Sequence, residues 1–248
     1  MLNPLAYFDN NIAGTSILLK VMKEFSVFRM IFSSSATVYG ELNPSPYQES
    51  MPIGMPNNTY GYTKLIIEQM LQKLEQAEKK WSIALLRYFN PIGAHKSGKI
   101  GEHPKGIPNN LLPYVTQVAV GLRDKLSIFG GDYETPDGTA VRDYLHVVDL
   151  AVAHVLALKN RLDHSGCEIW NVGTGQGTSV LDIKNGFESV NQLAIPYEIV
   201  GRREGDLPSF YADPSKIEQE LGWKAQHNLQ DMLRDSWYWQ KNNPNGYE

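Results

Sequence analysis

From Pro4 onward apolar residues recur at helical spacing, through Ile12, Leu18, Leu19 and Met22, to about Phe25. Asn3-Pro4 supplies a start for that helix, a capping side chain followed by proline at the first helical position. Arg29-Met30-Ile31-Phe32-Ser33 is then a short apolar run of the kind buried in a parallel sheet, and it ends in the hydroxyl cluster Ser33-Ser34-Ser35-Ala36-Thr37. A Pro- and Asn-rich loop leads to a second helix from about Tyr60, with Ile66, Ile67, Met70, Leu71 and Leu74 on its apolar face. Ser82 to Phe89 reads as another buried strand, closed by Asn90-Pro91. The order αβαβ predicts an α/β fold, a parallel sheet covered by helices.

After Pro91 the texture changes, and a boundary is expected near Asn90. Gly93 to Pro108 reads as loop, Asn110 to Val120 as helix, and Ser127-Ile128-Phe129 as a short strand. A long Gly/Pro/Asp loop is expected to carry Arg142-Asp143-Tyr144. Asp149 is expected to cap a helix running to Leu158, and Glu168 to Val172 to form a strand. Asp213-Pro214 opens a short helix stopped at Gly222, and the tail from Asn228 to Gln240 is amphipathic. Gly173-Thr174-Gly175-Gln176-Gly177 imitates a phosphate-binding turn, but its third glycine comes one residue early. It reads instead as a tight turn before a capped helix that starts at Ser179-x-x-Asp182.

Composition narrows the class. Of 248 residues, 42% are apolar and 20% charged, ordinary for a globular chain, which excludes disorder, collagen and coiled coil. A net charge of −4 carries no electrostatic footprint for nucleic acid or an anionic membrane, so neither is expected as a partner. A single cysteine, Cys167, excludes a disulfide framework, and six scattered histidines predict no metal site. No apolar run approaches the ~20 residues of a membrane span, and the start lacks the pattern of a signal peptide. A cytoplasmic protein is expected.

Candidate chemistry begins with Tyr60-Gly61-Tyr62-Thr63-Lys64. Residues i and i+4 share a helix face, so the Tyr60 phenol and Lys64 ammonium can meet in one pocket. A nearby cation favours phenolate, which is how tyrosine enters general acid–base work. Tyr62 is a rival phenol, two positions from Lys64 and on another face. Sites in open α/β sheets lie beyond the carboxyl ends of strands, where the serine cluster sits. A hydroxyl there could hold a substrate oxygen while Tyr60 moves its proton.

Ser–Tyr–Lys in this setting resembles the short-chain dehydrogenase/reductase superfamily. Ser33 to Gly40, Leu86 to His95, Gly106 to Tyr114, Gly138 to Tyr144 and Arg202 to Asp206 are five collinear blocks similar to the UDP-glucose 4-epimerase family. The resemblance implies part of a Rossmann-like doubly wound sheet in residues 1–90. It implies a smaller, mainly substrate-binding α/β domain in residues 91–248, with some segments returning to the first. It further implies NAD as cofactor and inversion at C4 of UDP-glucose and UDP-galactose through a 4-keto sugar, a step of galactose metabolism. Tyr60 would be the acid–base group, Ser35 would hold the 4-oxygen, and Lys64 would bind the nicotinamide ribose and lower the Tyr60 pKa.

By the same resemblance Asn10, Ser35, Tyr60, Lys64 and Phe89 touch NAD. Ser35, Thr37, Asn90, Asn110, Leu111, Arg142, Tyr144, Arg203, Asp206 and Phe210 line the nucleotide-sugar site, with Arg142 and Arg203 as a diphosphate clamp. The bulk of Phe210 predicts a preference against N-acetylated sugars. Related dehydratases carry an Asp-Glu pair after the threonine, whereas Thr37 is followed by Val38-Tyr39. A glycine-rich first turn has no counterpart before Asn3, so the chain is expected to start within the nucleotide-binding half and to retain NAD poorly alone. A homodimer is expected for the complete protein. A related nucleotide-sugar dehydratase or decarboxylase, and a non-catalytic homologue binding nucleotide sugar at most, are the alternatives.

Overall fold

The Asn3 side chain accepts the Ala6 amide at 3.2 Å, and Pro4 follows at a position whose N–H a helix does not need. The computed structural model describes residues 3–247. In chain order its elements are α1 (Pro4–Tyr7), a π-helical turn (Phe8–Ala13), α2 (Gly14–Glu24), β1 (Arg29–Ser33), a 3₁₀ turn (Ala36–Tyr39), α3 (Thr59–Ala77), β2 (Ser82–Tyr88) and β3 (Asn90–Ile92). There follow α4 (Leu111–Ala119), β4 (Leu126–Phe129), β5 (Val141–His146), α5 (Val147–Asp163), β6 (Gly166–Val172) and β7 (Gly177–Ser179). The last are α6 (Val180–Asn191), β8 (Tyr197–Val200), β9 (Ser209–Phe210), α7 (Ser215–Leu221) and α8 (Leu229–Asn242). Among the described residues, no helix is long and apolar enough to cross a membrane.

Two units divide the chain: Met1–Phe89 with Val152–Val172 and Ala212–Trp223, and the remainder. In the first, β1, β2 and β6 form a parallel sheet in that order. The apolar run Ile83, Ala84, Leu85 and Leu86 is fully buried because β2 is the central strand, flanked by neighbours and covered on its faces. Leu19 from α2, and Ile67 and Leu71 from α3, pack with Phe32, Trp81, Ile83 and Leu85 to make that unit's core. Burying each such aliphatic side chain contributes roughly 1.5–3 kcal/mol.

In the second unit β5 is the hub, parallel to β3 and β9 and antiparallel to β7. Beside that sheet, β4 and β8 form a parallel pair. Leu112, Val115 and Val118 of α4, Ile183 and Phe187 of α6, and Met232 and Leu233 of α8 are the heart of its core. Capping boxes open two of these helices, Ser179 with Asp182 and Asn228 with Asp231.

Three expectations need correction. The N-terminal helix is interrupted by a π turn, and Asn10 lies within that turn, not in a uniform α-helix. Arg142-Asp143-Tyr144 lies in strand β5, not in a loop. Its pairing partners β7 and β9 are only three and two residues long, too short to announce themselves by periodicity. Asp149 does not cap α5. The helix starts at Val147, directly from β5, and its Val148 amide donates to His146 Nδ1 at 3.0 Å. The Asp149 carboxylate instead accepts the Gln226 and His227 amides, each at 3.0 Å.

Candidate active site

In the first unit, helix α3 is launched by Asn58, whose side chain accepts the Gly61 amide at 2.8 Å. One helical face then carries Tyr60, Lys64 and Glu68 at successive intervals of four. The Lys64 ammonium donates to the Ser33 carbonyl at 2.8 Å, at the carboxyl end of β1. It stands 4.9 Å from the centre of the Phe32 ring and 5.4 Å from that of Tyr60. Lys64 therefore joins the serine segment to the tyrosine.

The serine segment is internally braced. Ser35 Oγ accepts the Thr37 hydroxyl at 2.9 Å and the Thr37 amide at 3.3 Å, capping the 3₁₀ turn. Thr37 thus serves Ser35 directly, the one partner its expected role did not name. Gly61 must be glycine here: a Cβ would lie 2.9 Å from Pro56 Cβ and 3.0 Å from Thr37 Oγ1, so its absence lets α3 approach the turn. Ser33 Oγ meets His154 Nε2 at 2.9 Å, a partner with no signal in sequence spacing. The Phe89 ring is buried, 6.5 Å from that of Tyr47. Asn10 is exposed and its amide donates to Asn11 Oδ1.

The electrostatics differ from the expectation in one respect. Burial pushes the Tyr60 phenol up to about 12, with smaller contributions from Tyr88 and Tyr7, and lowers Lys64 from its usual value. At Tyr60 burial is the dominant influence, and the net shift of the phenol is upward although the Lys64 ammonium lies 5.4 Å from its ring centre. The Tyr60 hydroxyl makes no hydrogen bond among the described residues. Tyr60 is a half-buried proton donor whose conversion to a base requires additional positive potential.

The second unit holds a cavity of about 400 Å³. Of the ten residues expected at a nucleotide-sugar site, seven line it: Asn90, Asn110, Leu111, Arg142, Tyr144, Arg203 and Asp206. Strand alternation explains the central pair, since Arg142 and Tyr144 of β5 share one face and Asp143 takes the other. Arg142 Nη1 donates to the Val141 and Leu207 carbonyls at 2.8 Å, and Nη2 lies 3.3 Å from Asp206 Oδ1. Asn110 Nδ2 donates to Glu102 Oε1 at 2.9 Å. Phe210 is not among the lining residues; it stands opposite Arg142 in the β5–β9 register. Ser35 and Thr37 belong to the first unit.

Asp143, facing away from Arg142, occupies the glycine turn that imitates a phosphate loop. Its carboxylate accepts the Thr174 amide at 2.8 Å, the Thr174 hydroxyl at 2.6 Å and the Gly175 amide at 3.0 Å. The anion that this turn holds is the protein's own.

Sequence reading missed the wall formed by β4 and the two cations that precede it. Arg123 and Lys125 both line the cavity; Arg123 also covers the Tyr114 ring at 4.7 Å, and Lys125 pairs with Glu198 at 2.6 Å. The basic pair flanking Asp124 just before an apolar strand was the available signal. With Arg142 and Arg203 they make a predominantly cationic lining, with Asp206 as its acid, suited to a diphosphate and a hydroxyl-rich sugar.

A tyrosine and a lysine one helical turn apart thus stand at the end of β1, where Lys64 bonds the Ser33 carbonyl and Ser35 caps the turn that follows. The family model for the NAD dependent epimerase/dehydratase family matches residues 1–173, and the chain belongs to that family. Within it the chain is similar to UDP-glucose 4-epimerase of Bacillus subtilis (strain 168), 54% identical over 99% of this chain and 72% of that protein. The UDP-glucose 4-epimerase of Dictyostelium discoideum is 55% identical over 98% of this chain and 71% of its own length. Among solved structures, UDP-glucose 4-epimerase from Bifidobacterium longum in complex with NAD+ and UDP superposes with a TM-score of 0.94 at 52% identity, covering 98% of this chain and 72% of that one.

Proposed function

We propose that the chain catalyses NAD-dependent epimerisation at C4 of UDP-glucose and UDP-galactose. The observation that carries this reading is Lys64, bonded to the carbonyl at the end of β1 and lying against the ring of Tyr60 one helical turn away. The first unit is the remainder of a dinucleotide-binding domain in this reading, and the second unit binds the nucleotide sugar.

NAD fits the donors present at its nicotinamide end. Lys64 has two N–H bonds left after the Ser33 carbonyl, the Tyr60 hydroxyl is unengaged among the described residues, and both lie at the strand end. When bound, NAD supplies a hydride acceptor and its return. Ser35 orients the sugar 4-oxygen, braced by Thr37. Tyr60 takes the 4-hydroxyl proton as the carbonyl forms and returns it after the 4-keto sugar has turned its other face. Because burial holds the phenol near 12, proton acceptance at neutral pH depends on positive charge brought beside it. Arg142 and Arg203 hold the diphosphate, so the sugar can turn without leaving. Dehydration is not favoured: the two residues after Thr37 are Val38 and Tyr39, both fully buried, where the related dehydratases carry an acid pair.

The test is incubation of the chain with NAD and UDP-galactose, followed by proton NMR of the anomeric signals. UDP-glucose should appear and approach the same mixture from either direction. No interconversion at stoichiometric enzyme and saturating NAD overturns the reading.

A further inference from the structure

The lowest turn of the Tyr60–Lys64 face ends on a charge that the mechanism above does not use. Glu68 and Arg87 form an ion pair in which each side chain is 1% exposed. Arg87 Nη2 lies 2.6 Å from Glu68 Oε2, and Arg87 Nε donates to Oε1 at 3.0 Å. The remaining capacity of Oε1 is taken by Ser34, whose hydroxyl donates at 2.5 Å. Ser34 is fully buried and is the immediate neighbour of Ser35. One carboxylate therefore ties three elements together: α3, the end of β2 and the serine segment after β1.

The network continues beneath that segment. The Arg87 guanidinium covers the Tyr39 ring at 4.8 Å, and the Tyr39 hydroxyl donates to Asn171 Oδ1 at 2.8 Å. Asn171, on β6, donates through Nδ2 to the Tyr47 carbonyl at 2.8 Å. Thus both ends of the 3₁₀ turn, Ser34 before it and Tyr39 at its close, rest on groups held by Glu68 and Arg87.

Stability alone does not account for such a pair. Apolar residues of similar volume often serve a core equally well or better, because desolvating two charges is costly. A charge pair does give direction: its hydrogen bonds fix distances that packed methyl groups leave free. Tyr60, Lys64 and Glu68 rise about 6 Å per step along one helix face. Anchoring Glu68 to Ser34 consequently sets the height of the tyrosine and lysine against the serine hydroxyl.

We propose that Glu68, with Arg87, is a positioning residue that holds the Ser34–Ser35 segment in register with Tyr60 and Lys64. The inference rests on the proposed epimerase reading for its kinetic arm, and on local amide exchange for an arm that needs no activity. The test uses the full chain and the double variant Glu68→Leu/Arg87→Met, which removes the pair without orphaning a charge, together with Ser34→Ala. Thermal unfolding, amide exchange over residues 34–40, and kcat and KM for UDP-galactose with NAD are measured on each.

In the double variant the unfolding midpoint should stay close to the parent's. Exchange at the Thr37 and Val38 amides should rise at least about tenfold, and kcat should fall on the order of 10²-fold, the cost of a displacement near 1 Å, while KM changes less than about threefold. Ser34→Ala should move exchange and kcat the same way by less. A double variant with parental exchange and kcat overturns the proposal, as does one that no longer folds, which would make the pair a stability element. If the parent chain shows no epimerisation, the functional reading fails, and the exchange result still decides for or against the positioning role.

Discussion

Replacing Asp143 by alanine should loosen one particular turn and, with it, the second unit's cavity, proposed above to take the nucleotide sugar. The carboxylate is fully buried and accepts two main-chain N–H groups and one hydroxyl from Thr174 and Gly175. Truncation leaves those donors facing a small void. A hydrogen bond to a charged group contributes about 1.5–3 kcal/mol, and an abandoned buried donor costs about 1–3 kcal/mol. Thr174 and Gly175 are only partly buried, so water recovers some of the loss. The expected destabilisation is about 3 kcal/mol, a large share of the 5–15 kcal/mol typical of a domain. Asp143→Asn should cost about half as much, since its carbonyl oxygen still accepts while its NH₂ opposes a donor. Because β7 follows this turn and pairs Thr178 with Arg142 across the ladder, UDP affinity should fall with stability. Urea unfolding of the full chain, amide exchange at 174–177 and calorimetric titration with UDP measure the three effects. An alanine variant with the parental urea midpoint and parental exchange at 174 and 175 would refute the assignment of this carboxylate as the turn's anchor.

Three other outcomes are expected. Tyr60→Phe should lower turnover about 10²–10⁴-fold with UDP affinity nearly intact; near-normal turnover would move the acid–base role to Tyr62. His146 is fully buried and its pKa is lowered by burial and by His227, so the unfolded chain binds a proton more readily than the folded one. Stability should thus rise as pH increases from the lowered folded value through about 6.5, by at most about 1.4 kcal/mol per pH unit for this group, and level off above; denaturant midpoints from pH 5 to 8 would show no such rise if the ring is equally basic in both states. Phe210, opposite Arg142 but outside the cavity lining, is expected to limit sugar size: Phe210→Gly should raise kcat/KM for UDP-N-acetylglucosamine at least tenfold, overpacking being worth ~1–3 kcal/mol, and an unchanged ratio to UDP-glucose would show that the ring does not gate the sugar.

Periodicity and end signals carried much of the architecture. Local rules located most of the long helices, though they misplaced the start of α5 and did not show the π turn of the N-terminal helix. Asn3-Pro4 starts the first helix, Ser179 with Asp182 opens α6 in a capping box, and Gly222 ends α7 in the left-handed conformation, as their spacing predicts. The continuous apolar run of β2 announced a buried strand, its central place being decided by the sheet order, and the four-residue spacing of Tyr60 and Lys64 determined that they share a face.

Tertiary structure decided what no local spacing encodes. Strand β5 exists because β3, β7 and β9 arrive from distant sequence to pair with it, and its alternation then sends Arg142 and Tyr144 to the cavity and Asp143 to the turn. The cavity wall of β4 depends on β8, 71 residues further along in the Ser127–Glu198 contact. Spacing shows that a lysine stands near Tyr60, whereas the burial that raises the phenol's pKa and the Lys64 bond to the Ser33 carbonyl come only with the fold. No local spacing singles out Glu68; only folding brings Arg87 and Ser34 to it and turns a charge that water would have solvated into the hub of a buried network.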